Sequence, residues 1–227
     1  MEKTIDEIKD SVINTIRPQR KDDDWIDERD VIEWINDQRN EFAKQQLDKN
    51  PLSMPDRFLQ NETVKMKSMS LPGVNDIYVA TSTDKVPSIL DIRGSDPAIN
   101  MISGDQLIGA LAYKFVPSNS IMSYLYGSRK FNQESLYVTI ENGYLILAST
   151  GNHIVGGIRD VKIQAVFENP LEISTFNRET DIYPLPGNLR PMLERKVISE
   201  KFGLEIQNYS DQDNNASHEL KSDMNAS

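Results

Sequence analysis

The stretch Leu136-Tyr137-Val138-Thr139-Ile140-Glu141-Asn142-Gly143-Tyr144-Leu145-Ile146-Leu147-Ala148 decides the fold. Two apolar runs, 136–140 and 144–148, flank a turn whose Asn-Gly pair accepts the positive φ angles of a type I′ hairpin, so the stretch predicts two antiparallel strands. Downstream, Val161 to Phe167 alternates, with Val161, Ile163 and Ala165 on one face, and adds a third strand. Upstream, Thr63 to Leu71 sets Val64 and Met66 in phase and Met69 out of phase. Ile77 to Thr81 and Ser88 to Ile92 are further strand candidates, and Leu71-Pro72-Gly73 reads as a turn. A mostly antiparallel sheet is the economical reading. Within it, Ser103 to Phe115 predicts a helix, capped by Ser103, with Leu107, Ile108, Leu111 and Phe115 as its apolar side.

On the N-terminal side the period changes from two to three or four. Ile5, Ile8, Val12 and Ile16 form the stripe of an amphipathic helix that Pro18 closes, and Gln19 to Trp25 is a charged connection. Asp27 is a candidate N-cap for a second helix with Asp30 in its first turn. Val31, Trp34, Ile35, Phe42 and Leu47 mark its buried face, Glu33, Asp37, Arg39 and Lys44 its wet face, and Asn50-Pro51 stops it. On the C-terminal side, the prolines of Asp181-Ile182-Tyr183-Pro184-Leu185-Pro186-Gly187 make an extended, rigid link. A last helix follows, with Asn188 as N-cap, Pro191 in its first turn, Leu189, Met192, Leu193, Val197 and Ile198 as its apolar side, and Gly203 as its stop. From Ile206 the composition is polar and predicts disorder. The expected class is therefore α+β: a helical hairpin over 1–50, a mixed β-rich region over 51–180, a link and C-terminal helix over 181–205, and a flexible acidic tail over 206–227.

The chain has 227 residues, a net charge of −10, two histidines and no cysteine. A chain of this length buries roughly 70% of its unfolded surface and needs no staples. Without cysteine there are no disulfides, thiolate ligands or thiol nucleophiles. The acidic start, Glu2, Asp6, Glu7 and Asp10, does not resemble a signal-peptide core, and apolar runs such as 107–112 fall short of a membrane span. The chain is expected to be made in host cytoplasm and to have no membrane partner. Bulk acidity opposes adhesion to nucleic acid.

Catalytic motifs are not found. His218 lies in the polar tail, and His153 reads as a loop histidine. Residues 151–157 are glycine-rich but lack the Gly-Lys-Ser/Thr of a phosphate loop. Asp22, Asp23, Asp24, Asp27 and Asp30 miss the calcium-loop pattern, because Ile26 stands at the third ligand position and the turn glycine is absent. No enzyme activity, catalytic residue, metal or cofactor is expected. Tyr124-Leu125-Tyr126-Gly127-Ser128-Arg129 carries the residue types enriched at protein interfaces.

The run from Asp22 to Ile35, with Arg39 and Lys44 to Leu47, resembles the opening of structural proteins of crAss-like and related short-tailed phages of Bacteroidota. The Tyr-Pro-x-Pro link and helix start, Asp181 to Leu189, resemble their closing element. The resemblance implies a ring protein of the head-to-tail connector below the portal, resident in the virion. It implies about twelve copies making heterologous contacts, partners in the portal and adjacent ring or tail proteins, and DNA passing through the channel. Candidate interface residues are Trp25, Trp34, Tyr124, Tyr126, Arg129, Tyr183 and Pro184. The alternative is an assembly chaperone or scaffold-type protein that leaves before maturation.

Overall fold

In the computed structural model, which describes residues 2–19, 26–49, 56–69, 78–91, 97–104, 113–117, 136–149 and 158–203, three helices cover one end of a seven-stranded sheet. The helices are α1 (Ile5–Ile16), α2 (Glu28–Lys49) and α3 (Arg190–Phe202). The strands are β1 (Gln60–Met69), β2 (Tyr78–Ser82), β3 (Ile99–Gly104), β4 (Tyr113–Phe115), β5 (Leu136–Glu141), β6 (Tyr144–Ser149) and β7 (Asp160–Ala165).

The hairpin forms as its sequence dictates. Asn142 and Gly143 take φ of 53° and 85°, and β5 pairs β6 from Glu141↔Tyr144 outward to Tyr137↔Ala148. The strand order is β3-β7-β1-β2-β6-β5-β4, antiparallel except for the β4–β5 pair. The long strand β1 sets the curvature. Its residues 60–65 pair with β7, whereas Met66 to Met69 pair with β2, and the Met66 amide also donates to the Arg159 carbonyl at 2.7 Å. Changing partner partway along one strand curls the sheet, so that Val64, Met66, Val138, Leu145, Leu147, Val161 and Ile163 share a single core. The curl brings the two edge strands together: the Tyr113 hydroxyl donates to the Ile99 carbonyl at 2.9 Å. Glu62 also points inward on β1 and is satisfied by the Ser174 amide and hydroxyl at 2.9 and 2.8 Å.

The expected helix over Ser103 to Phe115 is corrected at both ends, where β3 holds Ser103 and β4 holds Tyr113 to Phe115; residues 105–112 lie outside those described. The apolar spacing there suits either period, and sheet pairing decided the ends. Ser88 to Ile92 reduces to isolated bridges at Ile89 and Asp91, with Ile92 outside the described residues. The Leu71-Pro72-Gly73 turn and the tail from 206 also lie outside them.

A second core lies between the helices and the sheet end. Ile5, Val12 and Ile16 of α1, Val31, Ile35 and Phe42 of α2, and Leu193 and Val197 of α3 meet Phe58, Leu90, Val166, Tyr183 and Leu185. Each such large side chain contributes roughly 1.5–3 kcal/mol on burial. Thr4 caps α1 through a capping box with Glu7, and the Asp27 carboxylate accepts from the Arg29 amide at 2.8 Å at the start of α2. At α3 the cap expected of Asn188 is corrected: Leu189 holds the N-cap position without a side-chain bond. The Pro186–Leu189 turn leads directly into the helix, with the Leu189 amide on the Pro186 carbonyl at 2.9 Å. The buried stripe of α3 runs through Leu193, Val197 and Ile198 and leaves Met192 54% exposed, contrary to expectation. Gly203, at φ 62°, ends the helix in the left-handed region.

Candidate functional site

Where the helical layer meets the sheet, the interior contains a charge. Arg39, expected on the wet face of α2, is fully buried, while Glu33, Asp37 and Lys44 are exposed as expected. Its position explains the correction. Arg39 stands four residues after Ile35 and three before Phe42, on the apolar stripe, so the helix carries the guanidinium inward wherever acceptors await it.

Three acceptors are backbone carbonyls from distant segments. Nε donates to Pro184 at 2.9 Å, Nη1 to Phe167 at 2.8 Å and Nη2 to Phe58 at 3.1 Å, while Nη1 also donates to Asn40 Oδ1 at 3.0 Å. The Phe58 and Tyr183 rings each lie 5.9 Å from the guanidinium carbon. Burial lowers the Arg39 pKa from its ordinary value, with Tyr183 opposing that shift. The group is nonetheless a charged donor held by neutral oxygens.

Tyr183 extends the network. Its hydroxyl donates to Asn36 Oδ1 at 2.7 Å, and Asn36 Nδ2 donates to Asn169 Oδ1 at 3.2 Å. The Tyr183 amide donates to the Lys3 carbonyl at 3.0 Å, which ties the proline link to the chain start. Burial pushes the Tyr183 phenol well above its ordinary value, so it remains a donor. Tyr183 and Pro184, candidate interface residues, thus lie in the interior of this chain, and Ile182 beside them is 51% exposed. Trp34 is half-buried, edge-on to Phe202 at 5.4 Å between ring centres, with the Lys201 ammonium 5.7 Å from its ring centre. Trp25, Tyr124, Tyr126, Arg129, His153 and His218 lie outside the described residues, as do Asp22, Asp23 and Asp24.

Along the outer side of α2 runs an open groove of about 760 Å³. Carboxylates of Glu33, Asp37, Glu41, Glu168 and Glu200 line it, against the cations Arg29, Lys44 and Lys201. Gln38 lies in the same groove, 4% exposed. Its Nε2 donates to Glu200 at 2.7 Å, and its carbonyl oxygen has no donor among the described residues. A second charge cluster joins α1 to its neighbours. Arg178 holds Asp6 through Nε and Nη2 at 3.0 and 2.5 Å, which lowers the Asp6 pKa. Burial alone would lower Lys9, but its bond to Glu28 at 2.7 Å and the charges of Asp10 and Glu28 hold it above its ordinary value.

Among the described residues no group of three or more acidic, histidine or cysteine side chains is placed to hold a metal ion. No described helix is long and apolar enough to cross a membrane. The polar centre around Arg39 binds the chain to itself and presents no group poised for proton or group transfer. Compared with known proteins, residues 7–224 match a family model described as CrAss_Ring_2, phage tail ring protein 2. No curated protein matches the chain.

Proposed function

This chain belongs to the phage tail ring protein 2 family, which makes it a structural protein of a phage tail, and from that premise we propose a place for it in the particle. It forms a closed ring in the head-to-tail connector below the portal, with about twelve copies joined by heterologous contacts. It has no catalytic role. Its partners are its own copies, the portal protein and the adjacent ring or tail proteins, and DNA passes through the ring without being held.

The observation that carries this reading is the family match over residues 7–224. Two properties support it. A net charge of −10 gives DNA in a channel little to adhere to. The polar groups of the Arg39 centre are engaged in joining segments of one chain, as a subunit that must keep its shape under load requires. Contacts to neighbouring copies and layers involve Trp25, Trp34 and the Tyr124, Tyr126, Arg129 stretch, with Tyr183 and Pro184 presenting Ile182.

Quantitative mass spectrometry of purified particles tests the reading by counting this chain against the portal protein. A ratio near one is expected. Absence from mature particles would overturn it in favour of an assembly factor.

A further inference from the structure

A chain carrying −10 repels its own copies, so a ring built from it has to bring a locally positive surface against a negative one. Both surfaces are present, on different layers. The negative one is the groove over α2, where Glu33, Asp37 and Glu168 are exposed and have no ion-pair partner among the described residues. The unpaired carbonyl oxygen of Gln38 in that groove is a further acceptor without a donor.

The positive surface lies on the outer face of the sheet. Lys65 and Lys67 alternate outward on β1 while Val64 and Met66 point inward, and Lys162 projects from the neighbouring β7, where it stands opposite Thr63. All three lysines are exposed and without an ion-pair partner among the described residues; Asp160, opposite Lys65, offsets part of their charge. A heterologous ring contact joins two different patches of one chain, and here the two differ in sign.

Resting on the ring reading, we propose that the lysine strip of one subunit, Lys65, Lys67 and Lys162, docks into the carboxylate groove of the next, on Glu33, Asp37 and Glu168. The strip supplies ammonium donors, and the groove supplies carboxylates and the Gln38 oxygen. Around a closed ring every strip and every groove is occupied once.

Zero-length carbodiimide coupling of purified particles is the direct test, since it joins ammonium to carboxylate only where the two touch. In the covalent dimer of this chain we expect bonds from Lys65, Lys67 or Lys162 to Glu33, Asp37 or Glu168. A dimer joined only elsewhere overturns the docking and leaves the ring standing, whereas particles that contain the chain but yield no dimer overturn both. Charge reversal gives an independent readout on the full chain, with circular dichroism as the check on folding. Lys65→Glu, Lys67→Glu and Lys162→Glu together, or Glu33→Lys, Asp37→Lys and Glu168→Lys together, should raise the half-assembly concentration at least about ten-fold. Mixing the two variants should restore assembly, because each then offers the other an opposite surface. Assembly of either variant at the wild-type concentration, or a mixture that stays dispersed, overturns the proposal.

Discussion

Replacing Arg39 by methionine keeps most of the side-chain volume and removes every donor. The carbonyls of Phe58, Phe167 and Pro184 then remain buried without their partner. A buried acceptor left unmade costs about 1–3 kcal/mol, so three would cost about 3–9 kcal/mol. Against that, the mutant no longer has to bury a charge, which returns several kcal/mol, and methionine adds apolar contact with Phe58 and Tyr183. Measured losses on breaking one side of a buried charged network, about 3–5 kcal/mol, lie within that range and are the expected outcome. With a urea dependence of about 2 kcal/mol per molar, the unfolding midpoint should fall by about 1.5–2.5 M. Urea titration of the purified chain, followed by tryptophan fluorescence and far-ultraviolet dichroism, reads this directly. Arg39→Lys should lie between wild type and Arg39→Met, because an ammonium cannot span three carbonyls in the planar fork of a guanidinium. A midpoint for Arg39→Met within about 0.3 M of wild type would refute the reasoning, since the carbonyls would then be no worse off without their donor.

Tyr183→Phe leaves Asn36 Oδ1 buried without its donor and should cost about 1–2 kcal/mol in the same titration; no loss would mean that water replaces the hydroxyl. Asp6 titrates below its ordinary value because Arg178 holds it, so the pair contributes stability above about pH 4 that is lost as the pH falls through the folded-state pKa. Arg178→Gln should therefore lower the acid-side slope of stability against pH, by under about 1 kcal/mol in total because the pair is partly exposed, and an unchanged acid limb would argue against it. Gly143→Ala forces a side chain into φ 85° and places its Cβ against the Lys85 methylenes at 3.4 Å, which should cost about 1–2 kcal/mol; an unchanged thermal midpoint would show that the turn has changed type.

What was legible in the sequence was local. The hairpin could be read because Asn142-Gly143 is a turn signal between two uninterrupted apolar runs, and α1 and α2 because their stripes repeat over three or more turns. The Ser103–Phe115 expectation failed because it relied on apolar spacing without knowing which strands would pair with the ends. The capping box Thr4-Ile5-Asp6-Glu7 was a readable signal that the sequence reading did not use. The Arg39 centre was partly readable. Its stripe position follows from counting along α2, but its acceptors come from Phe58, Phe167 and Pro184, 19, 128 and 145 residues away in the chain. Neither carbonyl direction nor long-range proximity is encoded in residue type. The groove over α2 was hidden for the same reason, since Glu168 and Glu200 join Glu33 and Asp37 only through the fold.

The interior and exterior charges fit one account of a ring subunit. Apolar contacts alone leave sliding freedom between a helical layer and a sheet end, because hydrophobic burial is non-directional. A planar fork bonded to three fixed carbonyls permits one register, and it does so at the junction of α2, the residue after β7, the turn before β1 and the proline link. Burying that charge costs several kcal/mol of desolvation, so the arrangement favours a single geometry over maximal stability. A closed ring has the same requirement, because a small error in the angle between one subunit's two contact surfaces recurs at every interface, and the ring then fails to close. The lysine strip lies on the sheet and the carboxylate groove follows α2, so the angle between the two proposed docking surfaces is the angle between the layers that Arg39 holds in register.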